Sequence, residues 1–119
     1  MNSIFLNNGN KIPILGLGTW LIDNDSACDA VKNAIKAGYR LMDTAQAYRN
    51  EEGVGKGIRA SGISREEIFV TDKVRAEYED YKVVRELIEE SLKLLKLDFL
   101  DLMLIHSPQP YIEDRKSVV

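Results

Sequence analysis

The chain has 119 residues, 16 basic and 19 acidic side chains for a formal charge of −3, 45% apolar residues and one cysteine, Cys28. That balance excludes a disordered tail, an internal disulfide framework and a polycationic nucleic-acid binder. No apolar run approaches the roughly 18 residues of a membrane span, and the first residues lack the basic-then-apolar pattern of a leader. The expectation is a single domain over residues 1–119 with one hydrophobic core, in a reducing cytoplasm, without nucleic-acid or membrane partners.

Two periodicities alternate along the chain. Ile4 to Ile12 carries a turn signal, Asn7-Asn8-Gly9-Asn10, between apolar flanks and predicts a small hairpin. Leu15-Gly16-Leu17-Gly18 is an apolar run too short for a helix. Asp25 is a candidate N-cap for a helix whose Ala27, Ala30, Val31, Ala34 and Ile35 follow helical spacing, with Gly38 as its stop. Tyr39 to Asp43 returns to extended character. Asn50 can cap a second helix from Glu51 to Ala60, weakened by Gly53, Gly55 and Gly57, each of which costs up to about 1 kcal/mol relative to alanine. Ser64 and Glu67 have capping-box spacing for a brief turn. Ile68-Phe69-Val70-Thr71 reads as a strand. Val84, Leu87, Ile88, Ser91, Leu92 and Leu95 mark one face of a third helix. Leu100 to Ile105 is a last apolar run, ending at His106.

Strand starts near 15, 39, 68 and 100 suit repeated strand–helix units. Strands alternating with helices imply a parallel sheet with right-handed crossovers, whose chemistry collects at the C-terminal strand ends. Each strand reaches a polar or aromatic residue there: Thr19 and Trp20, Asp43, Lys73, His106. Strand alternation puts Leu41 with Asp43, Thr71 with Lys73, and Leu104 with His106 on one face, so Asp72 points away from Lys73. An aspartate, a lysine and a histidine can therefore share one rim, with Tyr48 in the loop beside them. Each residue also has a plainer reading. Asp43 can open a turn, Lys73 can be a solvated charge, His106 can be structural, and Tyr48 can pack. The glycines of Gly16-Leu17-Gly18 lack the third glycine of a dinucleotide fingerprint, since Ile22 stands in its place. One histidine and one cysteine, without ligand spacing, make a metal site improbable.

Taken in order, Gly16-Leu17-Gly18-Thr19-Trp20, Asp43-Thr44-Ala45-Gln46-Ala47-Tyr48, Lys73-Val74 and Leu104-Ile105-His106-Ser107-Pro108 resemble the signatures of the aldo-keto reductases. The resemblance runs from Phe5 to Pro110, and the hairpin resembles that family's plug at the bottom of the barrel. It implies an α/β fold, a (β/α)8 TIM-type barrel, of which this chain supplies the hairpin and the first four strands with three helices. It also implies an NADP(H)-dependent oxidoreductase that reduces aldehyde or ketone carbonyls to alcohols. By this similarity Tyr48 would be the general acid. Lys73 would place a positive charge beside the phenol, Asp43 would hold Lys73, and His106 would orient the carbonyl. Gly18, Thr19, Trp20 and Asp43 would border the cofactor, and Trp20, Tyr48 and His106 the small-molecule substrate.

An eight-stranded barrel takes roughly 250 residues, and the resemblance places the family's nicotinamide-stacking residue and adenosine-phosphate loop beyond the fourth strand. The expectation is a part of a longer, monomeric protein, and Glu113 to Val119 carries no terminating turn signal. Two chains completing one barrel, or a fragment poorly folded and self-associating alone, are the alternatives. In function, the alternatives to a reductase are a non-catalytic cofactor-binding protein on this fold and an inert half-barrel or assembly module.

Overall fold

The structure is a computed structural model that describes residues 2–75 and 80–106. Strands β1 (Ser3–Phe5) and β2 (Lys11–Pro13) form an antiparallel hairpin with Ile4 opposite Ile12. Its turn closes through Gly9, whose φ of +88° favours glycine. Four parallel strands follow in spatial order β3-β4-β5-β6: β3 (Leu17–Gly18), β4 (Leu41–Asp43), β5 (Phe69–Arg75) and β6 (Leu102–His106). Between them lie α1 (Asn24–Lys36), α2 (Glu51–Ala60) and α3 (Tyr81–Leu95). The expected order of elements is present, and each strand begins one or two residues later than its apolar run.

The helices cover the face of the sheet on which Met42 and Val70 stand, with Asp72 as its polar exception. Met42 and Val70 are fully enclosed against Val31, Val54, Ile58 and Leu95. Each aliphatic side chain buried there contributes on the order of 1.5–3 kcal/mol. The opposite face carries Asp43 and Lys73 and remains more open. Among the described residues no helix is long and apolar enough to cross a membrane.

The helix ends correct several expectations. The N-cap of α1 is Asp23, not Asp25, which lies inside the first turn where its charge suits the helix dipole. Gly38, at φ +111°, does end α1, its amide bonding the Ile35 carbonyl. Asn50 stands at the N-cap position of α2, but its side chain makes no capping bond because it is committed elsewhere. The Ser64–Glu67 capping box does not form; Ser64 donates to Glu66, and a short 3-10 turn spans Arg65–Glu67. Helix α3 is capped by Asp80, which accepts from the Lys82 amide at 2.8 Å.

Helix α2 is intact despite its three glycines, and packing gives the reason. A Cβ on Gly57 would stand 2.7 Å from the Cys28 carbonyl and from Val31. One on Gly53 would collide with the Asn24 carbonyl, and one on Gly55 with the backbone of Leu95. The glycines let α2 lie directly against α1 and the end of α3, and that close approach outweighs their low propensity.

Candidate active site

The site begins where β4 stops. Asp43 pairs with Gly18 of β3 on one side and Thr71 of β5 on the other, and the Thr44 amide bonds the Thr71 carbonyl. The chain then leaves the sheet through buried Ala45 into a 3-10 turn, Gln46–Tyr48. Arg49 closes the turn in the left-handed region, at φ +56°. Gln46 anchors it by donating to the Leu87 carbonyl (3.0 Å) and the Ser91 hydroxyl (2.9 Å) of α3.

Asn50 fixes the other end. Its amide nitrogen donates to the carbonyls of Thr19 (2.8 Å) and Ile22 (3.0 Å), and its oxygen accepts from the Thr44 hydroxyl (2.8 Å). One wholly buried side chain thus ties the β3 and β4 loops together.

Lys73 reaches this turn from β5. Its ammonium is ion-paired with the Asp43 carboxylate and donates to the Thr44 carbonyl (3.1 Å) and the Tyr48 hydroxyl (3.2 Å). Burial works to lower the lysine's pKa. The bonds to Asp43 and then Tyr48, with the charge of Asp43, outweigh it and hold the ammonium above its ordinary value. His106, at the end of β6, stands edge-on to Tyr48 with ring centroids 5.6 Å apart. The structure therefore brings Asp43, Tyr48, Lys73 and His106 to one rim. The arrangement can donate a proton from a phenol whose oxygen already accepts from a cation, beside a histidine able to hydrogen-bond the same substrate atom.

The remaining residues singled out by sequence lie differently. Trp20 is exposed on the same rim, followed by Leu21 in the left-handed region at φ +65°. A Cβ on Gly18 would meet no atom within 4 Å, so the end of β3 is open. Thr19 is fully buried, its hydroxyl donating to the Asp43 carbonyl at 3.0 Å, so it stands behind the rim. Asp72 faces the helix layer, away from Lys73, and is also fully buried. Ser107 and Pro108 lie outside the described residues. A flat ring over Gly18, with hydroxyl or amide hydrogens directed to the partly exposed Asp43 carboxylate, fits this surface. Among the described residues no three potential ligands group to hold a metal.

Sequence reasoning missed the work of Gln46, Asn50 and Glu51. Gln46 carried no signal beyond its motif, and Asn50 was masked by its fitness as a cap. Glu51, only 5% exposed at the start of α2, is marked in the sequence only as the first residue of that helix.

Residues 14–117 match the model of the aldo/keto reductase family. The chain is 46% identical to methylglyoxal reductase DkgA of Escherichia coli K12, over 98% of this chain and 43% of that protein. It is 49% identical to glyoxal reductase of Bacillus subtilis, over 90% of this chain and 39% of that protein. A crystal structure of an aldo/keto reductase from Brucella melitensis superposes with a TM-score of 0.86 at 49% identity, over 91% of this chain and 43% of that one. The chain thus spans about two fifths of the length of these relatives.

Proposed function

Because the chain belongs to the aldo/keto reductase family, whose fold is a (β/α)8 barrel, we propose that it carries the proton-donating half of an NADP(H)-dependent carbonyl reductase, with Tyr48 as general acid. The carrying observation is the direction of one hydrogen bond: Lys73 donates to the Tyr48 oxygen at 3.2 Å. The phenol's own hydrogen is then left for another acceptor, and a substrate carbonyl oxygen placed between Tyr48 and His106 would receive it.

The reduced nicotinamide supplies hydride to the carbonyl carbon when bound. Negative charge then develops on the carbonyl oxygen, and Tyr48 neutralises it by proton transfer. Lys73 favours the phenolate that results, and Asp43 keeps the ammonium charged and aimed. His106 orients the oxygen by hydrogen bonding. Gly18, Trp20 and Asp43 would hold the nicotinamide end of the cofactor, and Thr19 supports Asp43 from behind. By the family resemblance, the rest of the cofactor grip would lie beyond the fourth strand. Small aldehydes bearing an adjacent carbonyl are the proposed substrate class, supported by the glyoxal and methylglyoxal named for the relatives.

The test is Tyr48→Phe in the intact protein. Removing a positioned general acid should lower kcat about 10²–10⁴-fold, with NADPH affinity nearly unchanged because the phenol acts on the substrate oxygen. Wild-type turnover in this variant would assign the proton donor elsewhere.

A further inference from the structure

Two carboxylates lie behind the site, on the side of the sheet away from Tyr48. Asp72 is fully buried and Glu51 is 5% exposed. Asp72 Oδ1 accepts from the Lys73 amide at 2.7 Å, at the point where β4 has stopped pairing with β5. Its Oδ2 and the Glu51 Oε2 are both enclosed without a hydrogen-bond partner, and the two carboxyls act on each other. Two ionised carboxylates cannot satisfy one another, because neither has a hydrogen to give. One proton between them resolves both orphaned oxygens.

We propose that Glu51 and Asp72 share a single proton and act as a positioning pair, joining the strand that presents Lys73 to the helix that follows the Tyr48 turn. The inference rests on the reading of Lys73 as the charge beside the general acid. The surroundings agree with a neutral acid at Asp72. Burial, then the bond to Glu51, then the charge of Glu51 push the Asp72 carboxyl up to about 9, against the pull of the Lys73 amide and ammonium. From α2 the facing group is Glu51. From α3, Glu90 lines the cavity that Glu51 shares with Gln46, Ser91 and Arg75 of β5. From β6 the residue opposite Asp72 is the uncharged Met103.

Loss of the shared proton would have two consequences. The carboxylates would repel each other and loosen the contact of β5 with α2. A second negative charge would also stand one residue from Lys73 and offset its action on the Tyr48 phenol.

The experiment follows the carboxyl carbons of Glu51 and Asp72 by 13C NMR from pH 4 to 10 in the intact protein, with the pH dependence of folding and of kcat measured in parallel. Asp72 unfolded loses its proton near pH 4 and folded only near 9, so folding takes up a proton between these values. The contribution of Asp72 to stability should therefore fall as pH rises from about 4 to about 9, by up to tenfold in the folding constant per unit. Asp72→Asn preserves both hydrogen bonds without a titrating proton. It should flatten that decline and move the alkaline limb of kcat to higher pH, with KM unchanged. Glu51→Gln should bring the Asp72 titration to lower pH. Two carboxyls titrating independently below pH 5 would overturn the pair. An alkaline limb of kcat unmoved in Asp72→Asn would overturn its positioning role. If the wild type reduces no carbonyl, the functional reading fails, yet the NMR titration still decides whether the proton is shared.

Discussion

Tyr48 and Lys73 meet at 3.2 Å from different elements, one in a 3-10 turn after β4 and the other on β5, and the lysine is the donor. The ammonium also lies 4.9 Å from the centre of the Tyr48 ring. Both the oxygen and the aromatic face of the tyrosine therefore feel one positive charge.

Lys73→Met keeps the length of the side chain and removes the charge. In the intact protein it should lower kcat at least as far as about 10²-fold, with cofactor affinity little changed, as measured by steady-state kinetics and fluorescence titration. The ammonium also has a pH signature. Its pKa is raised on folding, so its contribution to stability is complete below the ordinary lysine value of about 10.4 and is lost as pH climbs through the raised one. Asp43→Asn removes the partner that does most to raise it, so the alkaline loss of stability in a denaturation series should be smaller than in wild type.

Asn50→Ala should destabilise the protein by about 3 kcal/mol, because it strips partners from the buried Thr44 hydroxyl and the carbonyls of Thr19 and Ile22. Asn50→Asp should fare no better, since a carboxylate offers those two carbonyls no hydrogen. A urea midpoint within experimental error of wild type for either variant would contradict the network.

Gly55→Ala improves helix propensity by about 1 kcal/mol, yet it should destabilise by about 1–3 kcal/mol, because the new methyl meets the backbone of Leu95. At Gly62, past the end of α2 and with open space around it, alanine should cost only the strain of φ +79°, about 1 kcal/mol. Thermal denaturation of the two variants should rank them in that order.

Expressed as 119 residues alone, the chain should associate and show no NADPH oxidation with simple aldehydes. Leu104 and Ile105 of β6 are 42% and 45% exposed, and Trp20 and Leu15 add apolar surface. Positioning of two reactants contributes about 7–11 kcal/mol to such a reaction, and the acid alone does not provide it. Size-exclusion chromatography coupled to an absorbance assay checks both points; a monomer that reduces an aldehyde would contradict them.

The sequence made the frame legible because each strand and helix announces itself by its own periodicity, and because Asp43, Lys73 and His106 end strands that run the same way. Strand alternation sufficed to put Asp72 on the far side of the sheet from Lys73. It did not reveal that Glu51 waits there, since that contact joins a strand to a helix twenty-one residues earlier. Gly53, Gly55 and Gly57 were misleading for the same reason: their value lies in what α2 touches, and local propensity counts only what the helix lacks. Thr19 shows the limit for side chains near a rim, where one residue of advance along the chain separates the exposed Trp20 from a hydroxyl sealed behind Asp43.

An ammonium has three hydrogens, and at Lys73 three acceptors receive them: the Asp43 carboxylate, the Thr44 carbonyl and the Tyr48 oxygen. The group is a saturated tripod. It cannot swivel toward solvent or toward an arriving ligand without breaking a bond, so the direction of its field is set when the chain folds and needs no adjustment during a reaction cycle. A guanidinium is planar and spreads its hydrogens in a fork, which cannot match three acceptors grouped around one apex. At this vertex the shape of the cation matters as much as its sign.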